Sequence, residues 1–159
     1  VDVLEKSLTG TVLTSSDTSP RSAPDYNVFH RYAANFPWRS HAIWFLSQML
    51  RWGEVSDPSV IDDIAKSVYR PEGYRTAAKS LGMPFPVDDI KTEGTHESAW
   101  EMPVDNQSLT MGADRFMDGR EFVSDDVTAY VSGFSLTRWP DSAATRVSLQ
   151  STDAMEKAL

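Results

Sequence analysis

A mostly α-helical segment with a few short strands is the fold class this sequence predicts, and three observations carry it. Apolar residues at 42, 45, 46, 49, 50 and 52 recur at helical spacing between Pro37 and Gly53. Two more stretches with helix-start and helix-stop residues follow directly, ending at Gly82. Runs of aromatic and β-branched residues are short and few, as in Tyr26 to Tyr32.

In chain order, residues 1–8, "VDVLEKSL", suit a short amphipathic turn or helix ending near Gly10. Residues 14–25 are rich in Ser, Thr, Asp and Pro and nearly free of apolar side chains. They bury too little surface to offset ordering entropy and predict a mobile loop. "YNVFHRY" then predicts a short strand. The helix from about Pro37 tolerates that proline because the first turn has N–H groups without intrahelical partners. Beyond its first turn only Ser47, Gln48 and Arg51 are polar, which predicts a buried central helix.

Asp57 is placed to cap the next helix, with Pro58 at its opening and Val60, Ile61, Ile64 and Val68 facing inward. Pro71 ends it and opens another, with Tyr74, Ala77, Ala78 and Leu81 at helical spacing and Gly82 as its stop. Pro84 and Pro86 enforce extended chain. Residues 87–112 show no clear period and predict a long surface excursion carrying Trp100. Asp118-Gly119, between Phe116 and Phe122, signals a tight turn. Ser124 is placed to cap a short helix over "DDVTAYVSGF", with acids in its first turn favouring the dipole. Beyond Phe134 patterning is weak. The organisation expected is one unit over residues 1–135 and an extension, partly disordered, over 136–159.

The chain has 159 residues, 40% hydrophobic and 24% charged, within the range of an ordinary globular protein. Its formal charge of −8 argues against a nucleic-acid surface, which needs a local excess of Lys and Arg. With no cysteine, disulfides, thiolate catalysis and zinc-finger chemistry are excluded. No apolar run reaches the ~20 residues of a membrane helix, and no basic-then-apolar signal segment follows Val1.

Three places invite chemistry. His30, His41 and His96 lie far apart, with no partner at metal-ligand spacing. The acidic pairs Asp62-Asp63, Asp88-Asp89 and Asp125-Asp126 lack any accompanying motif, and helix starts and exposed faces account for two of them. There is no nucleophile elbow, Gly-rich phosphate loop or zinc-protease pattern. A stand-alone enzyme is not expected, nor a metal or other cofactor. The third place is Arg39-Ser40-His41, in the first helical turn. Cations there oppose the macrodipole but add to the positive potential of free N–H groups. One reading is a small-anion or carboxylate site made by Arg39, Ser40 and His41. The favoured one is a salt bridge between domains or an ordinary helix end. Trp38 and Trp44 are read as core or interface residues, with arginine–ring contact a minor alternative.

Three blocks together resemble a known family: "NVFHRYAANFPWRSHAIWFLSQMLRWGEV", "VYRPEGYRTAAKSLGM" and "DRFMDGREFVSDDVTAYVSGF". Their order and spacing resemble the C-terminal portion of the nitrate- and bicarbonate-binding solute-binding proteins of ABC transporters, and of the related cytoplasmic nitrate sensor. The likeness covers roughly residues 1–135, and the long Trp-rich first block is its most specific part. It implies an α/β parent with two lobes around an anion cleft, of the type II periplasmic-binding-protein kind, in which this segment forms part of one lobe. It also implies a small oxyanion ligand (nitrate, nitrite or bicarbonate). The expected partner is an ABC permease if the protein is periplasmic or membrane-tethered, and an RNA antiterminator protein if it is cytoplasmic. The family's principal anion contacts lie upstream of these residues, so none is carried over. Standing alone, the segment would leave apolar faces uncovered and invite a homo-oligomer or another partner.

Overall fold

The structure, a computed structural model, describes residues 4–5, 8–12, 19–104 and 107–139. Its centre is α1, Arg39–Trp52. Around it lie α2 (Ile61–Val68), α3 (Pro71–Ser80) and α4 (Val127–Ser132). Two small antiparallel sheets complete the described residues: β1 (Thr11–Val12) with β2 (Arg21–Ser22), and β3 (Trp100–Val104) with β4 (Gln107–Met111). The segment is therefore helical with short strands, as its periodicity implies. No described helix is long and apolar enough to cross a membrane.

Helix α1 stops where expected. Gly53 takes the left-handed conformation, φ 79°, which costs a residue without Cβ little. Its N–H bonds to the Leu50 carbonyl at 3.0 Å and that of Glu54 to Met49 at 2.9 Å, the paired closure of a Schellman end. One apolar cluster lies along α1 and a second lies at its N-terminal end. The first gathers Ala42, Ile43 and Leu50 with Ile61 and Ala65 of α2, Phe122, and Val131 of α4. The other gathers Ala33, Phe36, Trp38 and Met111, with Tyr74, Trp100, Met102 and Leu109 against them.

Several expectations are corrected. Tyr26 to Tyr32 is not a strand but a run of bends leading into a 3-10 turn, Arg31–Ala33. Arg31 is drawn back to the Pro24 carbonyl at 2.6 Å and the Asp25 carboxylate at 3.0 Å, which curls the chain. Residues 87–112 are not a featureless excursion. They hold the β3–β4 hairpin, whose register leaves only two residues between Val104 and Gln107. Pro103 is tolerated because a two-stranded sheet has only edges. Of the face expected to turn inward, Ile61 of α2 is buried, as is Ala65, while Val60 in the turn before the helix and Ile64 and Val68 are exposed. In α3 only Ala78 of the expected face is fully buried, with Ala77 and Leu81 exposed. A 3-10 turn, Ser124–Asp126, takes up the first turn expected of the last helix. Asp126, not Ser124, therefore caps α4, accepting from the Ala129 N–H at 2.9 Å. α1 itself is not apolar-inside throughout: Phe45, Met49 and Trp52 face out, and Ser40 and Ser47 are fully buried. Ser47 satisfies its hydroxyl on the Trp44 carbonyl at 2.6 Å.

Other expectations are met. Asp57 caps a 3-10 turn, Pro58–Val60, that leads into α2. The turn at Asp118-Gly119 closes with the Gly119 N–H on Phe116 at 3.0 Å. Within the stretch expected to be a loop, residues 21–22 pair with 11–12; residues 14–18 lie outside the described residues. Of the extension expected over 136–159, residues 136–139 return to the end of α1, where Arg51 Nε donates to the Leu136 carbonyl at 2.8 Å. Residues 140–159 lie outside the described residues.

The bridge between Glu93 and Phe122 fastens the middle of the chain to the segment that leads into the last helix. Beside it Gly94 sits at φ +90°, where an added Cβ would lie 2.5 Å from the Arg120 carbonyl oxygen. Gly94→Ala is therefore expected to cost at least about 2 kcal/mol in urea unfolding, from backbone strain plus collision with main chain. A loss below about 0.5 kcal/mol would show that this bridge yields freely.

Candidate functional site

The first turn of α1 brings Arg39, Ser40 and His41 together, and each meets a carboxylate. Arg39 reaches Asp89 at 2.5 Å and Glu72 at 3.0 Å. Its backbone N–H donates to the Asp89 carbonyl at 2.8 Å. Arg75 from α3 holds the other oxygen of Asp89 at 2.6 Å and also the Pro86 and Val87 carbonyls. The proline-rich segment is thereby pinned across the helix start. A cleft of about 510 Å³ opens beside this cluster, lined by both signs of charge: Arg39, Lys66 and Arg75 with Asp62, Asp88 and Asp89.

Ser40 and His41 converge on Glu93, which sequence reasoning did not single out. The Ser40 hydroxyl donates to Glu93 Oε1 at 2.6 Å, and His41 Nε2 lies 3.3 Å from the same oxygen. Glu93 is almost wholly buried. Its other oxygen pairs with the Lys91 ammonium, which bridges to Asp114 at 3.2 Å. Asp114 accepts from the His96 backbone N–H at 2.8 Å and faces its imidazole at 3.3 Å. The His96 ring stacks on Trp100, with centroids 4.0 Å apart and planes 7° from parallel.

Burial pushes the Glu93 carboxyl up. Hydrogen bonds from His41, Lys91 and Ser40, with the Lys91 charge, outweigh it and hold the group below its ordinary value. Asp114 behaves alike: burial raises it, and the His96 backbone and ring, with Lys91, lower it further. The chain thus keeps two partly or wholly buried carboxylates ionised by surrounding them with donors.

Of the three histidines, His41 and His96 are joined through this one network, while His30 lies exposed in the turn before Arg31. The acidic pairs serve structure: Asp62 pairs with Lys66 one turn on, Asp89 with two arginines, and Asp126 caps α4. Among the described residues no group of His, Asp and Glu is placed to hold a metal ion. Lys91 and Glu93, two apart in extended chain, share one side, a signal the sequence offered. Nothing local pointed to Asp114, which reaches the network only through the fold.

The fold around this helix start matches a solved one. The crystal structure of the periplasmic nitrate-binding protein NrtA from Synechocystis PCC 6803 superposes with a TM-score of 0.52 at 21% identity. The match covers 81% of this chain and 29% of that one. In sequence, the chain is 28% identical over 105 residues to the nitrate/nitrite binding protein NrtA of Nostoc, covering 66% of this chain and 20% of that protein. It is 28% identical over 114 residues to the bicarbonate-binding protein CmpA of Synechococcus elongatus, covering 68% and 21%. The chain is thus similar in sequence and in fold to nitrate- and bicarbonate-binding proteins. A stretch of 142 residues, 89% of the chain, is also 28% identical to 18% of the Synechocystis nitrate import ATP-binding protein NrtC. The chain spans about a fifth of the length of these curated relatives. No protein-family model matches it. The fold class inferred from the three blocks is thus the one found, with the segment forming part of a binding-protein fold.

Proposed function

We propose that this chain forms the C-terminal scaffold of a protein that binds nitrate, or a related small oxyanion, for ABC-type import on the periplasmic side of a membrane. The observation that carries this is agreement of fold with a nitrate-binding protein over 81% of the chain, alongside sequence kinship to nitrate and bicarbonate binders. In this reading the segment supports the lobe of a protein that captures the anion for a permease, and catalyses nothing itself.

The role of Arg39, Ser40 and His41 follows from their company. An oxyanion at that helix start would compete with Asp89 and Glu72 for the Arg39 terminal nitrogens and with Glu93 for Ser40 and His41, although the buried Arg39 Nε has no hydrogen-bond partner. We therefore assign the three residues to holding the lobe together, and keep ligand contact as the reading the test must exclude. In a full-length protein containing this segment, R39Q/H41Q is expected to lower thermal stability while leaving nitrate affinity within about threefold. Weaker binding with unchanged melting would make them ligand residues.

Calorimetric titration with nitrate, nitrite and bicarbonate tests the function itself. Heat is expected from the full-length protein, and none at millimolar ligand from this chain alone. Absence of heat in the full-length protein for all three anions would reject the reading.

A second reading has its own support. The match to the ATP-binding protein NrtC takes in more of this chain than the binding-protein matches do. The segment would then belong to an oxyanion-sensing domain joined to an ATP-binding subunit on the cytoplasmic face. An ATPase rate that changes on adding nitrate would favour that alternative over import by capture.

A further inference from the structure

We infer that the cavity between the turns leading into α2 and α4 is a binding site for a linear aliphatic diamine, a small dication of the polyamine class. Its volume is about 560 Å³, within the range of roughly 300–1,000 Å³ that small-molecule sites occupy. One wall is the 3-10 turn Pro58–Val60 with the first turn of α2. The other is the 3-10 turn Ser124–Asp126 with the first turn of α4. Ile43, Ile61, Ile90 and Val127 supply branched aliphatic surface to the cavity. Ile90 is 43% exposed, so part of that surface meets solvent.

The polar groups decide the class of ligand. Asp62 stands on the first wall, Asp125 and Asp126 on the second, and among the described residues no Lys, Arg or His lines the cavity. The basic side chains nearby, Arg39, Lys66 and Arg75, border the adjoining cleft instead. Acids at helix starts answer the dipole, and Asp126 Oδ1 caps α4, yet neither role uses every oxygen. Among the described residues Asp125 has no hydrogen-bond partner, and Asp62 Oδ1 and Asp126 Oδ2 accept nothing. Ser59 and Thr128 spend their hydroxyl hydrogens on Asp57 and Asp126, at 2.7 and 2.9 Å, which leaves them as acceptors only.

A rim of acceptors and negative charge disfavours an oxyanion and suits a cation that donates. No aromatic ring lines the cavity, so the cation is not a quaternary ammonium, which ring faces recognise. It is a primary ammonium, with three hydrogens to donate. Lys66 shows that Asp62 takes such a group. Carboxylates on two walls with hydrocarbon between them match two ammonium groups joined by methylenes, whose burial favours binding. The inference stands apart from the oxyanion reading, which concerns a ligand of the opposite charge.

Calorimetric titration of the full-length protein containing this segment, with putrescine as the probe, tests the site. Binding is expected to be at least about tenfold tighter than that of butylamine, which lacks the second ammonium, or of magnesium, which lacks the hydrocarbon. Asp125→Asn and Ile90→Ser are each expected to weaken putrescine at least about tenfold. Ile64→Ser, at an isoleucine outside the cavity, is expected to bind as before. Absence of binding at millimolar putrescine overturns the inference. So does equal binding of magnesium or butylamine, which would leave a charged surface only, and so does unchanged affinity in Asp125→Asn. Should Ile90→Ser fail to fold, Asp125→Asn decides, because that side chain is exposed and its replacement keeps the shape. Nitrate titrated into the same protein reports on oxyanion binding separately.

Discussion

Trp38→Ala is expected to cost about 3–5 kcal/mol of stability, the range for emptying a large aromatic site in a packed interior. Trp38 is fully buried and stands at the residue before α1, where its carbonyl accepts the first helical bonds from His41 and Ala42. Its ring meets Phe36 edge-on with centroids 4.7 Å apart, and the Lys91 ammonium lies 5.9 Å from its centre. Around it stand Ala33 and Met111, with Trp100 and Leu109 of the hairpin in the same cluster. Removing the indole opens a cavity between hairpin and helix and takes away a surface the buried network leans on. Urea unfolding of the variant measures this. A loss under about 1 kcal/mol would mean that the hairpin cluster collapses onto the vacancy at little cost.

Glu93→Ala is expected to cost a similar amount, about 3–5 kcal/mol, for a different reason. The ammonium of Lys91 keeps Asp114 but loses its nearer carboxylate, and the buried Ser40 hydroxyl loses its acceptor. Glu93→Gln separates charge from shape, because it keeps an oxygen for Ser40. The sign of the pH dependence follows from the lowered carboxyl. Held below its ordinary value of 4.5 when folded, Glu93 binds fewer protons in the folded chain than in the unfolded one. The stability it contributes is complete above that value and is lost as pH falls from it through the folded one. Asp114 acts in the same sense from an ordinary value of 3.8. The acid limb of a stability–pH curve should therefore flatten in Glu93→Gln while the neutral region shifts downward. Parallel curves would show that Glu93 is not the group being titrated.

Local rules made much of this protein legible. Gly53 ends α1 because it lacks Cβ, a fact that holds in any fold, whereas Pro37, expected in the first turn, lies one residue before the cap Trp38. Asp57-Pro58, Pro71 and Asp118-Gly119 worked for similar reasons. The hairpin went unread although Trp100, Met102 and Val104 sit at alternate positions; Pro103 broke the look of a strand. The strand expected at Tyr26 to Tyr32 failed because propensity cannot supply a partner strand, and an arginine contact bent the chain instead.

The candidate site was half legible. Arg39, Ser40 and His41 stood out because cations at a helix start are electrostatically unusual. Their partners come from positions 72, 89 and 93, far along the chain, and carry no spacing signal linking them to the helix. Both Trp38 and Trp44 were expected in the core or at an interface. Trp38 is buried, and Trp44 half-buried with its indole N–H on the Tyr130 hydroxyl at 3.1 Å. The cation near Trp38 is Lys91 rather than an arginine.

By itself, then, the sequence determined roughly where the helices lie, where α1 stops and which family they resemble, since caps, prolines, glycines and a Trp-rich helix act within a few residues. Only the tertiary structure decided which apolar stripes are covered and which carboxylates answer Arg39, Ser40 and His41. Burial and charge pairing depend on distances between residues that the chain separates widely, and a periodic pattern states that a face is apolar without stating what lies against it.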